Sequence, residues 1–386
     1  MDVSVLLSIA VLLFFAKVFG EAAQRLKVDA LAGEVLAGLV AGPVLMWVSP
    51  TPLLEGLASI GIILLVFLIG LSTRFDNMKG HVYSGSVLAI AACAASLAGG
   101  FAVGYFVLES IDAGVFLGIA LMGTSTAIPI KILLERGEFQ SRVGQFLVTA
   151  SMADDIITII GLSFLASYFS GTVSAWSSAT LLFVILGFIL AVVTVGAEAV
   201  DRFLSVVQRL KDEQILLSIP LAIVFAVTFF AENIGVASIV GAFLAGLAMA
   251  KSAFAETVIA PKVRTIGYGF FIPLFFAYSA LVIDLGLLAD YWWFIVLLTA
   301  AAVLTKVVSS WFVTARIGFR HRDRAIVVAG MIPRGECGIV VSQIALALGA
   351  ITNEIYGSMV ILVLITVIIT PLLFSAVMSS WCGYRR

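Results

Sequence analysis

Residues Val143 to Phe169 read VGQFLVTASMADDIITIIGLSFLASYF, an apolar run with two adjacent carboxylates, Asp154 and Asp155, near its centre. A spanning helix needs roughly 20 apolar residues. Asp154 stands eleven residues into the run, or about 16 Å along a helix rising ~1.5 Å per residue. Both acids therefore fall near the middle of a bilayer. A charged side chain there costs at least ~2.5–3.5 kcal/mol. Two side by side also repel each other. Binding a cation or a proton is the simplest compensation, and intramembrane acids are functional by default. The competing structural reading keeps both acids neutral or hydrogen-bonded.

Outward from that run, the rest of the chain has the same character. Of 386 residues, 62% are hydrophobic and 12% charged, far too apolar for a soluble domain of this length. The fold expected is an all-α polytopic membrane protein. A net charge of −1 gives no field suited to nucleic acid. Cys93, Cys337 and Cys382 are unclustered and suggest neither a disulfide framework nor a metal site. His81 and His321 fall in expected loops, and no small-residue cleavage site follows the first apolar run. No cofactor is expected.

Hydropathy divides the chain into thirteen apolar segments, near 3–19, 30–48, 57–71, 82–108, 113–133, 143–169, 177–197, 214–231, 235–250, 265–283, 291–314, 325–349 and 355–378. Loops after odd-numbered segments, together with the C-terminal end, hold 20 of the 22 Lys and Arg, from Lys17, Arg25 and Lys27 to Arg385 and Arg386. Loops after even-numbered segments hold acids such as Glu55, Glu109, Asp112 and Glu354, and no base. Excess cations mark cytoplasmic loops. The reading is a multi-pass protein of the cell inner (plasma) membrane, N-terminus outside and C-terminus cytoplasmic.

A repeat is visible. Gly33–Leu39 reads GEVLAGL and Gly241–Leu247 reads GAFLAGL, an offset of 208. Ile60-Gly61 and Ile266-Gly267 lie 206 apart, and Gly123 and Pro333 lie 210 apart. The period contains seven spans, so the two copies have opposite orientation, as in many secondary transporters. Segments 1–6 and 8–13 form the copies and segment 7 links them.

Segments 5 and 12 are expected to be broken. Segment 5 carries Gly123-Thr124-Ser125-Thr126-Ala127-Ile128-Pro129, and segment 12 carries Met331-Ile332-Pro333-Arg334-Gly335-Glu336-Cys337-Gly338. Pro129 and Pro333 each remove a backbone donor and clash with the preceding turn. Freed carbonyls and the hydroxyls of Thr124 and Thr126 can ligate a hard cation. Interrupted segments at corresponding places in two halves are the best sequence pointer to a transport site.

Lys306 sits in mid-span, at least ~15 Å of helix from either end, too far to snorkel fully. It needs an internal anion, Asp154 or Asp155. Arg334 and Glu336 supply a further opposite pair, read as structural. Adjacent helical residues point about 100° apart, so the two acids need different neighbours. Ser151 precedes Asp155 by four residues, shares its face, and can add an oxygen ligand. Burial favours a neutral acid and a nearby ammonium favours the carboxylate. A site balanced between them holds a proton or a small cation, not both.

At these residues the chain resembles the monovalent cation/proton antiporter family, the sodium/proton exchanger domain, and looks closest to its NapA-type branch. The pieces are Gly33–Gly38, Thr124-Ser125-Thr126, Ala153-Asp154-Asp155, Lys306 and Pro333-Arg334-Gly335-Glu336. The resemblance implies one transporter domain over 1–386. It implies a homodimer, with a scaffold of 1–81 and 214–290, a mobile core of 82–172 and 291–386, and a linker at 173–213. It implies that Asp155 is the essential acid binding Na+, or another monovalent cation, in exchange for H+. Asp154 becomes the partner of Lys306, and the Asp-Asp plus Lys set resembles the electrogenic members. Many relatives of the potassium-efflux type append a nucleotide-binding domain, and no GxGxxG occurs here.

Other readings fit less well. A K+/H+ antiporter uses the same site. A channel needs a pore, and Thr265-Ile266-Gly267-Tyr268-Gly269 mimics a potassium filter in letters only, because a filter takes four copies around an axis. An intramembrane aspartyl protease needs two acids that meet from different helices. A solute symporter remains the last alternative.

Overall fold

A computed structural model describes residues 3–26, 28–72, 82–125, 129–130, 132–133, 138–139, 141–169, 187, 198, 202, 214–233, 238–250, 252 and 255–379. All regular structure among them is helical. In chain order the helices are α1 (Val3–Arg25), α2 (Ala30–Leu39), α3 (Pro52–Ser72), α4 (Val82–Val107), α5 (Ile111–Ala120), α6 (Arg142–Phe169), α7 (Ile215–Asn233) and α8 (Ser238–Met249). They continue as α9 (Ala260–Ile266), α10 (Ile272–Leu281), α11 (Leu285–Asp290), α12 (Trp292–Arg316), α13 (His321–Met331), α14 (Glu336–Ala347) and α15 (Asn353–Ser379). Eight described stretches are long and apolar enough to cross a membrane. Apart from residue 187, apolar segment 7 lies outside the described residues, as does Thr126.

Helix starts follow local chemistry. The Asp29 carboxylate accepts the Leu31 N–H at 2.9 Å and opens α2. The Ser110 hydroxyl accepts the Ala113 N–H at 3.2 Å and opens α5. Thr51 caps α3, whose first residue is Pro52, a position where no backbone donor is missed. The stretch resembling a potassium filter runs helically through the end of α9 and one π-turn, Gly267–Phe271.

The chain divides into two compact units. One comprises Met1–Pro50, Asn77–Thr158 and Phe276–Arg386; the other comprises Thr51–Asp76 and Ile159–Phe275. In the second unit α3 and α7 pack against α8. In the first, α1 packs on α2, and α4 packs on α5 and α12. Gly100 and Gly104 of α4 meet Gly118 and Gly114 of α5 backbone to backbone, leaving no room for a Cβ. Small residues four apart let membrane helices approach this closely. Beneath the site lies an apolar core of Leu88 (α4), Phe146, Leu147 and Ala150 (α6), Val327 and Met331 (α13) and Phe374 (α15).

Both expected breaks are present. Helix α5 ends at Ala120, Leu121 and Met122 form a turn, Gly123–Ser125 form no regular structure, and Pro129 and Ile130 are helical. Helix α13 ends at Met331, Ile332–Gly335 form no regular structure, and α14 begins at Glu336. The Ser125 N–H donates to the Pro333 carbonyl at 2.9 Å, joining the two breaks.

Candidate ion-binding site at the crossing of the broken helices

Helix α6 carries Asp154 and Asp155 to this crossing, and α12 carries Lys306. The Lys306 ammonium lies 2.8 and 2.9 Å from the two carboxylate oxygens of Asp154, with both side chains fully buried. The Thr124 hydroxyl donates to Asp154 Oδ2 at 2.7 Å. The Cys93 thiol donates to Oδ1 at 3.0 Å. Asp154 is thus held by four donor contacts from three other segments. A buried pair needs such extra bonds to offset its desolvation.

Asp155 is placed differently. It is 5% exposed, and the bond its carboxylate accepts is a long one, from the Cys337 thiol at 3.7 Å. The angle between adjacent helical positions turns it away from Lys306. No ammonium or guanidinium is bonded to it among the described residues. One carboxylate of the pair is neutralised and the other is not.

Arg334 departs from the sequence expectation. It does not pair with Glu336. Its Nη1 donates to the carbonyls of Met122 and Gly123 at 3.3 and 3.2 Å. Its Nη2 donates to the Ala302 carbonyl at 2.6 Å and to the Ser96 hydroxyl at 3.5 Å. Its own N–H donates to the Thr366 hydroxyl at 3.1 Å. The carbonyls after a helix end lack intrahelical donors and carry the negative end of its dipole. A fully buried guanidinium with five donors satisfies that end better than a carboxylate two residues away. Glu336 instead opens α14, where an acid suits the positive end of a helix.

Two of the expected oxygen ligands have their hydroxyl protons engaged. That of Thr124 goes to Asp154. The Ser151 hydroxyl donates to the Met331 sulfur at 3.7 Å. The sequence reading missed the two thiols. It searched the cysteines for disulfides and metal clusters, whereas each stands singly against one acid. The signal lay in their positions: Cys93 at mid-span, and Cys337 beside the break.

Comparison with known proteins places this geometry among relatives. The family model described as "Sodium/hydrogen exchanger, transmembrane" matches residues 10–379. The chain is 31% identical to the Na(+)/H(+)-K(+) antiporter GerN of Bacillus cereus, over 96% of this chain and 95% of that one. It is 29% identical to a Na(+)/H(+) antiporter of Enterococcus hirae, over 91% and 92%. Its fold is similar to that of the sodium proton antiporter MjNhaP1 from Methanocaldococcus jannaschii, with a TM-score of 0.71 at 17% identity over 99% and 98% of the two chains.

Proposed function

This chain belongs to the sodium/hydrogen exchanger family, and on that footing we propose that it is a secondary antiporter exchanging a monovalent cation, Na+ and also Li+, for H+. The observation that carries the reading is the asymmetry of the acid pair. Asp154 is bonded to Lys306 at 2.8 Å, while Asp155, beside the joined breaks, accepts from a thiol and has no cation bonded to it among the described residues. Asp155 is the group that takes the cation or the proton in turn. Asp154 with Lys306 fixes the pocket and sets its charge. An exchange of two protons for one cation moves one net charge, worth ~2.3 kcal/mol per 100 mV. The adjacent acids with their lysine fit the electrogenic, NapA-type branch.

The packing supports an inverted repeat. Helix α1 packs on α2 as α7 packs on α8, and α4 on α5 as α12 on α13. Helix α2 meets α10 at Gly38 and Ala277, as α8 meets α3 at Gly246 and Phe67. Alternating access then moves the core (82–172 and 291–386) against the scaffold (1–81 and 214–290), in a homodimer within the inner membrane. The N-terminus lies outside, on the charge asymmetry of the loops.

Proton movement in proteoliposomes tests this against Na+, Li+ and K+, with the membrane potential clamped and then released. Coupled exchange that speeds up when the potential is released in the favourable direction supports the reading. Cation currents without proton coupling indicate a channel instead.

A further inference from the structure

Among the described residues, the hydrogen bond that the Asp155 carboxylate accepts comes from sulfur, while the nearby hydroxyls give their protons elsewhere. The Thr124 hydroxyl is bonded to Asp154. The carbonyls of Met122 and Gly123 accept from Arg334, and that of Pro333 accepts from Ser125. Ser151, one turn before Asp155, has its hydroxyl on the Met331 sulfur. The Asp155 carboxylate has the Cys337 sulfur 3.7 Å from Oδ1, with the Glu336 carboxylate close enough to repel it.

Cys337 is set there by its surroundings. It lies in the first turn of α14 and is 8% exposed. Opposite it is Gly123, where an added Cβ would stand 2.8 Å from the Cys337 Cβ. The absence of a side chain at 123 makes the room that the thiol occupies.

A cation entering this pocket exchanges water oxygens for protein ligands. Sulfur is a softer, weaker dipole than a hydroxyl or carbonyl oxygen. Selectivity among alkali cations depends on the number and field strength of the ligands. The smallest ion has the most hydration to lose, so a sulfur in the shell penalises Li+ most and K+ least.

We propose that Cys337 is a specificity-determining residue of the Asp155 site, its sulfur tilting the pocket away from Li+ and toward the larger alkali cations. The proposal rests on the antiporter reading given above. Serine at 337 puts an oxygen at nearly the same place. Leucine at 331 removes the sulfur that orients the Ser151 hydroxyl, releasing that side chain to turn its oxygen toward the same pocket.

The test measures KM for Li+, Na+ and K+ in proteoliposome exchange by the wild-type chain, Cys337→Ser and Met331→Leu. The ratio of KM for Li+ to KM for K+ is expected to fall about five-fold in Cys337→Ser, the factor that ~1 kcal/mol of differential binding gives. Met331→Leu moves it in the same direction, and carries the test should the serine variant not fold. A purely structural role scales all three KM values together and leaves the ratio in place. A wild-type chain that exchanges while neither folded variant moves the ratio by more than about two-fold overturns the role of Cys337 alone, since that is under ~0.5 kcal/mol. A wild-type chain that exchanges none of the three cations removes the antiporter reading and this inference with it.

Discussion

Lys306 bonds both carboxylate oxygens of Asp154, at 2.8 and 2.9 Å, and leaves the next residue, Asp155, without a cationic partner among the described residues. Two identical side chains, adjacent in sequence, thereby acquire different chemistry. The cause is helical geometry: ~100° of rotation per residue sends one to α12 and the other to the helix breaks.

Asp155→Asn is expected to abolish cation-dependent proton movement in everted vesicles. The amide keeps the shape but neither takes up a proton nor carries the charge a cation needs. Among the described residues the Asp155 carboxylate accepts from a thiol at 3.7 Å, so the variant should accumulate and melt like the wild type. Undiminished exchange would remove Asp155 from the site.

Replacing one member of the buried pair leaves the other uncompensated. Asp154→Asn and Lys306→Gln should each cost about 3–5 kcal/mol, and the double variant should recover much of that loss. Thermal unfolding in detergent, read as a double-mutant cycle, measures the coupling. The singles should also change the charge moved per cation, seen in the voltage dependence of exchange. Additive stability losses would contradict a coupled pair.

Arg334→Lys is expected to behave as a loss, not a conservative change. Lysine offers three donors from a point charge, whereas Arg334 reaches the Met122, Gly123 and Ala302 carbonyls with a planar fork. Each buried carbonyl left unpaired costs about 1–3 kcal/mol. Yield and melting temperature of the purified variant check this, and a wild-type melting temperature would refute the bracing role.

The Tyr356 hydroxyl donates to the Ser279 carbonyl at 2.7 Å, linking α15 to the last turn of α10. That carbonyl sits where a helix end lacks its own donors. Tyr356→Phe should therefore lower stability by about 1–3 kcal/mol while leaving the acid pair intact. Melting curves and Na+-dependent proton movement, measured together, separate the two effects.

Much of this was legible in the sequence because the bilayer imposes its own rules. Mid-span charges and paired prolines and glycines announced the crossing. The apolar segments other than the seventh overlap the described helices, since a span must satisfy its backbone internally. Several details were not legible. The partner of Lys306 depended on rotation about α6, which the pattern leaves open between adjacent acids. Arg334 read as half of an ion pair because its true partners are carbonyls, which carry no letter in a sequence. The same holds for the Ser125–Pro333 bond and for the Ser151 hydroxyl, claimed by a methionine 180 residues away.

The central claim is that one carboxylate serves metal ion and proton by turns, and equilibrium binding of Na+ or K+ to the purified protein at several pH values tests it most directly. Competition predicts that on the acid side the apparent affinity falls about tenfold per pH unit for each proton displaced, with one proton released per cation bound in weak buffer. An affinity that stays constant across the same range, with no proton release, would contradict it.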